Sequence, residues 1–355
     1  MQPSQKEINL FSDTVTLPTD EMREAMKNAI CGDDVAGEDP TVNRLEEMAA
    51  ARMGKEAALF VASGTMGNLV AVMTHCDRGD EAILEAESHT YYYEVGGVSA
   101  IAGVTPRLVP GRRGIMDPDD VMRAIREPNI HYPRTRLICM ENTHNRGGGT
   151  VTPVPVMEEI CRIARDHSLA THLDGARIFN AAIALSVDPR EIAGPFDSVM
   201  FCLSKGLSAP VGSLICGSRE FIARARKNRK MLGGGMRQAG VIAAAGIVAL
   251  EKMVDRLRVD HENARLLAEG LSTIDGLRVD LESVQTNMVY VDVSDLGFDT
   301  DGFIRELARH GVRASGRPPY HVRMVTHRHI SRENILETLD IIRKIAIKRL
   351  ANRDL

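Results

Sequence analysis

Short apolar runs alternate with longer stretches of helical periodicity along the first 250 or so residues of the chain. The runs that predict strands cover residues 57–62, 81–85, 105–109, 136–141, 169–174, 198–203 and 213–217. The stretches that predict helices between them include 41–53, 65–75, 117–126 and 156–167. This alternation of strands and helices predicts an α/β fold with a mostly parallel sheet flanked by helices.

The pattern changes near residue 252. A long amphipathic helix is predicted over residues 242–271. Beyond it the pattern predicts strands at 276–279, 287–293 and 322–325, with helices at 300–309 and 332–350. We therefore expect a large domain over residues 1–252 and a smaller C-terminal α+β domain over residues 253–355.

Composition narrows the classes of protein to which the chain can belong. It has 355 residues, 44% of them hydrophobic, which is enough to bury a sizeable core. The net charge of -4 and the lack of a long basic run argue against nucleic acid as a partner. We expect no membrane partner, because no eighteen consecutive residues are apolar and the start holds no signal-like segment. Six cysteines without a CxxC pair are typical of reduced thiols in a cytoplasmic protein.

Polar or glycine-containing segments follow several of the predicted strands. These segments are Ser63-Gly64-Thr65, Glu141-Asn142, Asp174-Gly175 and Ser204-Lys205. In open parallel sheets, ligands bind at the carboxyl ends of the strands. The sequence thus predicts several candidate chemical groups along one edge of the sheet.

Lys205 follows an apolar run that would suit a buried strand, and lysine is seldom buried. One interpretation is a solvated loop lysine. Asp174 stands 31 positions earlier, about one strand–helix–strand interval, so two neighbouring strand ends can carry a carboxylate and an amine into one cleft. The alternative for Asp174 is a surface residue that caps the next helix.

Residues Ser63, Gly64 and Thr65 lead from a predicted strand into a predicted helix. Backbone amides at the start of a helix bind anions, and hydroxyls add donors, so the turn suits a phosphate group. An ordinary capped helix is the alternative, and the segment is not a P-loop because no Gly-Lys-Ser/Thr follows.

Together these groups suit pyridoxal phosphate. That cofactor needs a lysine that binds it covalently, an acid beside the pyridine nitrogen and a phosphate cradle, which Lys205, Asp174 and the 63–65 turn supply. His89 follows the predicted strand 81–85 and is a candidate to cover the ring. A structural histidine is the alternative for His89.

The chain resembles the L-threonine aldolase family of pyridoxal-phosphate enzymes of fold type I along nearly its whole length. The motifs that carry the resemblance are FSDTVTLPT (11–19), GDDVAGEDPTVNRLE (32–46), SGTMGN (63–68), ENTHNRGGG (141–149), HLDGARIFNA (172–181), LSKGLSAPVGSL (203–214), RKMLGGGMRQAG (229–240) and VRMVTH (322–327). The resemblance implies cleavage of L-threonine and L-allo-threonine to glycine and acetaldehyde. Other pyridoxal-phosphate activities, namely β-elimination, racemisation and transamination, stay open as alternatives.

The resemblance also implies roles for single residues around the cofactor. Lys205 matches the lysine that carries the cofactor, and Asp174 matches the partner of the pyridine nitrogen. His89 matches the histidine stacked on the ring. Arg237 is similar to an arginine that reaches the phosphate across a subunit interface, which implies a homo-oligomer, a dimer or a tetramer, with shared active sites.

Substrate contacts are implied in the same way. Ser12, Arg177 and Arg323 match residues that hold the substrate carboxylate, a task for which a guanidinium is well suited. His131 is similar to a second histidine near the substrate hydroxyl, so either His89 or His131 is the expected catalytic base.

Two features fall outside this pattern. Ala36 stands where many family members have an aromatic residue, which leaves one wall of the predicted substrate entry undefined. His321, His327 and His329 lie close together in sequence, but no carboxylate–histidine scaffold accompanies them, so we expect no metal site there.

Overall fold

The computed structural model describes residues 7–351. Fourteen strands are present in this range: β1 Ile8–Asn9, β2 Ala57–Val61, β3 Glu81–Glu85, β4 Thr105–Val109, β5 Gly111–Arg112, β6 Ile115–Met116, β7 Thr135–Glu141, β8 Ala170–Asp174, β9 Ser198–Cys202, β10 Ser213–Gly217, β11 Met288–Asp292, β12 Val312–Arg313, β13 Ser315–Arg317 and β14 His321–Val325.

The same part of the chain forms fourteen α-helices. They are α1 Asp20–Lys27, α2 Pro40–Met53, α3 Gly64–His75, α4 His89–Tyr92, α5 Gly97–Ala100, α6 Pro118–Ala124, α7 Val154–Asp166, α8 Ile178–Leu185, α9 Pro189–Ala193, α10 Arg219–Met231, α11 Gly240–Lys252, α12 Leu257–Ser272, α13 Thr300–Arg309 and α14 Arg332–Ala351. Short 3-10 helices cover Asp13–Val15, Asp34–Ala36, Leu281–Ser283 and Ser294–Leu296.

Local sequence explains where helices begin and end, as α2 illustrates. The Asp39 side chain accepts hydrogen bonds from the amides of Thr41 and Val42, and Pro40 occupies the first turn, where no amide donor is needed. The helix ends at Gly54, whose φ of 63° lies in the left-handed region that glycine adopts without strain.

The larger compact unit is Leu17–Val254, and it is built on a seven-stranded sheet of order β2-β10-β9-β8-β7-β3-β4. Neighbouring strands from β9 to β4 run parallel, whereas β10 is antiparallel to both of its neighbours, β2 and β9. The predicted mostly parallel α/β fold is confirmed, and the seven predicted strands of this sheet agree with the observed ones to within one residue at each end.

Helix α3 packs closely on β9 through small residues. A Cβ added to Gly67 would lie 2.6 Å from Cγ of Met200, and one added to Gly64 would lie 2.9 Å from Sγ of Cys202. Val61 and Val70 belong to the same buried cluster as Met200. Glycine therefore lets the first turns of α3 lie directly against the strand that leads to Lys205.

The second compact unit joins the described part of Met1–Thr16 to that of Asp255–Leu355. It contains an antiparallel three-stranded sheet of order β11-β14-β13, and β1 pairs in parallel with β12. Its core includes Leu10, Phe303, Met324 and Ile342. The predicted domains, 1–252 and 253–355, remain a prediction, and the compact units differ from them chiefly in grouping residues 7–16 with the described C-terminal segment.

Two element predictions in the C-terminal third are wrong. The single helix predicted over 242–271 is two helices, α11 and α12, separated by residues 253–256. The amphipathic pattern continues across the break because side chains of α11 lie in the larger unit and those of α12 in the smaller unit's core. The strand predicted over 276–279 reduces to one antiparallel bridge between Arg278 and Asp292.

Within residues 7–351, no helix has both the length and the apolar character needed to cross a membrane.

Candidate active site

Three neighbouring strands bring acidic and basic groups to one edge of the large sheet. Asp174, the last residue of β8, pairs in register with Glu141 at the end of β7 and with Met200 on β9. Lys205 follows β9 by three residues, and Ser63 follows β2 by two. The structure therefore places Asp174 and the segments that carry Ser63 and Lys205 along the same edge, as predicted from the strand ends.

Asp174 is buried at this edge and is held in place by hydrogen bonds. Its carboxylate is 2% exposed and accepts hydrogen bonds from the Ala176 amide at 3.0 Å and from Nδ2 of Asn68 at 2.8 Å. The same Nδ2 of Asn68 donates to Oε1 of Glu94 at 2.8 Å. One buried amide of α3 thus holds two buried carboxylates side by side.

His89 lies at the start of α4 and is fixed at two points. Its backbone amide donates to Oε2 of Glu141 at 2.6 Å, and Nδ1 of its ring lies 2.9 Å from Oε1 of Glu94. Ligand atoms of His89, Glu94 and Asp174 all lie within 4.8 Å of one another. The histidine predicted from its place after β3 is therefore beside Asp174.

The electrostatic surroundings keep His89 basic. Burial alone would lower the pKa of its imidazole, but the hydrogen bond to Glu94 and the charges of Asp174, Glu94 and Glu141 outweigh burial and raise it. Burial raises the pKa of the Glu94 carboxyl, and the nearby charge of Asp174 adds to this. Two buried acids beside one imidazole suit a ligand that brings a protonated nitrogen.

A cation of another kind is less suitable at this cluster. The spacing of His89, Glu94 and Asp174 is also one that a metal ion tolerates. Asn68, however, directs the donor side of its amide at both carboxylates, whereas an amide that ligates a metal presents its oxygen. The donor set therefore fits an organic N–H better than a metal.

The loop that carries Lys205 is held by its own backbone. The Ser208 amide donates to the carbonyl of Lys205 at 2.9 Å, and the Leu203 amide donates to Gly212 at 3.0 Å. Lys205 itself is half-buried. Ser208 has a φ of 65°, rare for a residue other than glycine, and its buried hydroxyl has no hydrogen-bond partner among the described residues.

Two further buried hydroxyls without partners among residues 7–351 belong to Ser88 and Thr143. Ser88 precedes His89, and Thr143 follows β7 by two residues, so both belong to loops of the same sheet edge. An unsatisfied buried hydroxyl costs about 1–3 kcal/mol unless a ligand or water completes it. This edge is therefore suited to a polar ligand.

The start of α3 fits an anionic group. Oγ of Ser63 accepts the Met66 amide at 3.2 Å and so caps the helix. The amides of Gly64 and Thr65 in its first turn have no hydrogen-bond acceptor within the described chain, and Ser63 and Thr65 are exposed. Exposed first-turn amides and hydroxyls are the donors that a phosphate needs.

Arg177 and Arg237 differ in their environments. Arg177 is 7% exposed and immediately precedes α8, three residues after Asp174. Arg237 is exposed and its Nη1 pairs with Oδ2 of Asp33 at 2.7 Å in the same chain. Ala36 lies in the adjacent 3-10 helix and is exposed. The predicted contact of Arg237 with a phosphate remains a prediction.

His131 lies apart from the other predicted residues of the larger unit. It is exposed, in the loop that precedes β7, whereas His89 contacts Glu141 at the far end of that strand. Six residue steps of β7 separate the two ends, about 20 Å at the usual rise of a strand. Within one chain, His131 is therefore not brought to the His89 cluster.

Ser12 and Arg323 belong to the smaller unit. The Ser12 hydroxyl is buried and accepts the Thr14 amide at 3.2 Å. Nη2 of Arg323, on β14, lies 3.5 Å from the carbonyl of Phe11, the residue before Ser12. Within this unit, the two predicted carboxylate-binding residues are therefore close in space.

Sequence reasoning missed Asn68 and Glu94. Asn68 ends the SGTMGN motif and is a fully buried amide on an apolar face of α3, a position that called for a polar partner. Glu94 follows His89 by five residues in a loop, and no pattern distinguishes it from a surface acid.

A family profile described as beta-eliminating lyase matches residues 9–294. Low-specificity L-threonine aldolase 1 of Arabidopsis thaliana is 49% identical over 94% of this chain and 95% of its own. Low specificity L-threonine aldolase of Escherichia coli K12 is 44% identical over 93% and 96%.

A solved structure has a similar fold. The chain is similar to a solved threonine aldolase structure from Leishmania major, with a TM-score of 0.83, 17% identity and coverage of 96% of this chain and 99% of that one. At this identity the likeness shows the fold alone, and it agrees with the fold type that the sequence motifs imply.

Proposed function

The chain belongs to the low-specificity L-threonine aldolase family, and from that premise we propose that it is a pyridoxal-phosphate-dependent carbon–carbon lyase. Its proposed reaction is the retro-aldol cleavage of L-threonine, L-allo-threonine and related β-hydroxy-α-amino acids to glycine and an aldehyde. The observation that carries the proposal is the cluster of two buried carboxylates, Asp174 and Glu94, with His89 at the strand edge that also carries Lys205.

The residues of this edge suit pyridoxal 5'-phosphate. Lys205 supplies the primary amine that holds it, the turn of Ser63, Gly64 and Thr65 supplies donors for its phosphate, and Asp174 supplies the acceptor for its ring N–H. Arg177 and Arg237 are proposed as additional cofactor contacts. The chemistry that the bound cofactor supplies is an electron sink for the α-carbon of the substrate.

His89 is the proposed base for the substrate's β-hydroxyl. Its Nδ1 hydrogen donates to Glu94, which leaves Nε2 as the nitrogen that accepts a proton. Glu94 also stabilises the imidazolium formed when that proton arrives, as a carboxylate does beside other catalytic histidines. His131 remains the alternative base, and its place at the opposite edge of its own sheet favours His89.

The substrate carboxylate is proposed to bind Arg177, Arg323 and Ser12. A guanidinium forms two parallel hydrogen bonds to a carboxylate, which fixes the substrate's orientation as well as its charge. Held in this way, the Cα–Cβ bond takes one direction in the site, and proton removal at the β-hydroxyl by His89 leads to release of the aldehyde.

Assembly and location form part of the proposal. We propose a homodimer or homotetramer with active sites shared between subunits, in the cytoplasm. Exposed Arg237 and the exposed apolar side chains of Ile30 and Met231 support a surface that another subunit covers. Six free cysteines, five of them buried, support a reducing compartment. A monomer that stays active at high dilution would contradict the shared sites.

The test is aldehyde release from L-threonine, L-allo-threonine and L-phenylserine, with and without added pyridoxal phosphate. We expect cofactor-dependent aldehyde together with glycine. Lys205→Ala should abolish both turnover and the visible absorption of the bound cofactor, whereas Lys27→Ala, an exposed lysine of α1, should change neither. An active Lys205→Ala variant with an unchanged spectrum would exclude the proposed role of this lysine.

β-Elimination is the second candidate, because the matching family profile carries that description. The two reactions share the cofactor and differ in product. A β-eliminating lyase forms a keto acid and ammonia, whereas an aldolase forms glycine and an aldehyde. Product analysis with L-serine and L-threonine distinguishes them directly.

A further inference from the structure

A series of hydrogen bonds, buried as far as Ser198 and partly buried at His75, extends from Asp174 into the protein, away from the site described above. Asn68 donates to Asp174, and its Oδ1 lies 3.1 Å from Nε2 of His172. Nδ1 of His172 lies 2.8 Å from Oγ of Ser198, and that oxygen lies 2.7 Å from Nε2 of His75. Asn68, His172 and Ser198 are 0% exposed.

The hydrogen bonds of this series all run in one direction, which the orientation of the Asn68 amide fixes. Nδ2 of Asn68 faces two carboxylates, so its Oδ1 faces His172, and Nε2 of that ring must carry the proton. Nδ1 of His172 is then an acceptor for the Ser198 hydroxyl, and Ser198 accepts from Nε2 of His75. Every donor in the series points towards Asp174.

The histidines are neutral links in this series. Burial lowers the pKa of His172 to about 4 and that of His75 to about 3. A neutral imidazole both donates and accepts, which a charged ring cannot do. Hydrogen bonds that point the same way polarise one another, so each donor strengthens the next in a buried series.

We propose that Asn68, His172, Ser198 and His75 are positioning residues that hold Asp174 as a carboxylate, ready to pair with the protonated ring nitrogen of the bound cofactor. This inference rests on the proposed pyridoxal-phosphate site and adds residues that touch neither substrate nor cofactor. Asn68 is the junction, because its amide also holds Glu94 and, through Glu94, His89. The proton on the ring nitrogen and the base at the β-hydroxyl are thereby joined through one side chain.

The first test uses the apoprotein, so it does not depend on cofactor binding. Imidazole ¹⁵N spectra at pH 7 should show a neutral His172 with its proton on Nε2, assigned by the loss of its signals in His172→Gln. A proton on Nδ1 would reverse the direction of the series, and a charged ring would leave it without a single direction; either result would overturn the proposal. Wild-type protein that binds no pyridoxal phosphate would instead contradict the proposed function and leave this result standing.

The second test measures cofactor affinity and the ¹⁵N chemical shift of labelled pyridoxal phosphate along the series. Asn68→Leu should weaken binding about a hundredfold, His172→Leu about tenfold and Ser198→Ala about threefold, because a hydrogen bond to a charged group loses strength as its donors are removed. His172→Gln retains a donor for Asn68 and should restore most of the affinity.

The control is Thr171→Val, which removes the partly buried hydrogen bonds between the Thr171 hydroxyl and Asp197 on the other face of the same strand, next to His172 in sequence but outside the series. Its cofactor affinity should stay within about twofold of wild type. The ring-nitrogen shift should move towards the unprotonated value in Asn68→Leu and His172→Leu and stay unchanged in the control. Equal losses in Thr171→Val, or an unchanged shift in folded His172→Leu, would show a merely structural role and overturn the proposal.

Discussion

Two pairs of histidines in the larger unit, each buried or partly buried, have pKa values shifted in opposite directions. His172 and His75 contact hydroxyl and amide groups, and burial lowers the pKa of each. His89 and His144 are also subject to burial, but carboxylates beside them raise their pKa values. The partner, and not the degree of burial, therefore decides whether a histidine serves as a neutral link or as a base.

His144, the second histidine paired with a carboxylate, has a structural role. His144 is 1% exposed, with Nε2 lying 2.8 Å from Oε2 of Glu85 and Nδ1 accepting the Gly147 amide at 3.0 Å. A Cβ on Gly114 would lie 2.1 Å from Cγ of its ring, so only glycine fits there. His144 thus fixes two loops beside the acid that holds the His89 amide.

The largest expected effect comes from removing the carboxylate of Glu85, the nearer of the two beside His144. Glu85→Gln should lower the free energy of unfolding by about 3–5 kcal/mol, because it leaves a buried pair broken. Urea unfolding at pH 7 measures the effect.

Glu87→Gln is the matched control for that change. Glu87 lies two residues on, is partly exposed and pairs with Arg146 at 3.1 Å. Such a pair contributes less than about 1 kcal/mol. An equal loss in the two variants would mean that the buried pair has no special weight.

The two histidines with lowered pKa values, His172 and His75, predict a stability that falls as the pH falls. Because the native pKa of His172 is about 4, the unfolded chain takes up its proton first as the pH falls below 6.5. Stability should therefore fall between pH 6.5 and 4, by about 3 kcal/mol from His172 alone at 1.36 kcal/mol per pKa unit. The charge of Asp174 raises the pKa of His172 and so opposes the effect of burial. The charges of Arg224 and Arg136 lower the pKa of His75 further.

His172→Gln checks this sign, since it removes one titrating group and should reduce the slope of stability against pH in that window by up to one proton. Thermal unfolding of the apoprotein at pH 4.5, 5.5, 6.5 and 7.5 provides the measurement. A slope identical to wild type would place the acid sensitivity in other groups.

A smaller effect is expected when His89 loses its carboxylate. Glu94→Gln keeps a hydrogen-bond acceptor but removes the charge, so the pKa of His89 should fall and turnover of L-threonine should drop about a hundredfold, in the range typical of general-base catalysis. The pH profile of kcat is the decisive readout, and its acid limb should move to lower pH. Glu24→Gln, on exposed α1, should leave the profile unchanged.

The smallest effect is expected at His75, the last residue of the hydrogen-bonded series that begins at Asn68. His75 stacks on Phe221 with ring centroids 4.5 Å apart and bonds Ser198. His75→Phe keeps the stacking and loses the hydrogen bond, which should cost about 1 kcal/mol of stability. Chemical denaturation will detect that change, and a loss above about 3 kcal/mol would show that the ring has further buried partners.

Much of the active-site edge could be predicted from sequence because its residues interrupt regular patterns. Lys205, Asp174 and the 63–65 turn stand where apolar strands end, and the strand ends are where the structure has them. Asn68 and Glu94 escaped prediction because their importance depends on a contact across 26 residues, which no local pattern records. His131 and Arg237 were named by resemblance, and the geometry of one chain does not test their roles.

The wrong prediction of a single helix over residues 242–271 also arises because a local pattern does not record distant contacts. Helical periodicity reports which side of a helix is apolar, but it does not report which core that side enters. Helix α11 ends at Lys252 and α12 begins at Leu257, where a new set of side chains joins the smaller unit's core.

The spacing of residues along α3 limits which mutations the site can accept. Gly64 and Thr65, suited to an anion, and Asn68, which holds Asp174, lie on a single rigid element, about 6 Å apart along its axis. One residue inserted between them would turn Asn68 by about 100° away from its carboxylates. The spacing along α3 is thus as constrained as its two closely packed glycines, Gly64 and Gly67, and libraries meant to alter substrate choice should keep both fixed and vary the surrounding loops.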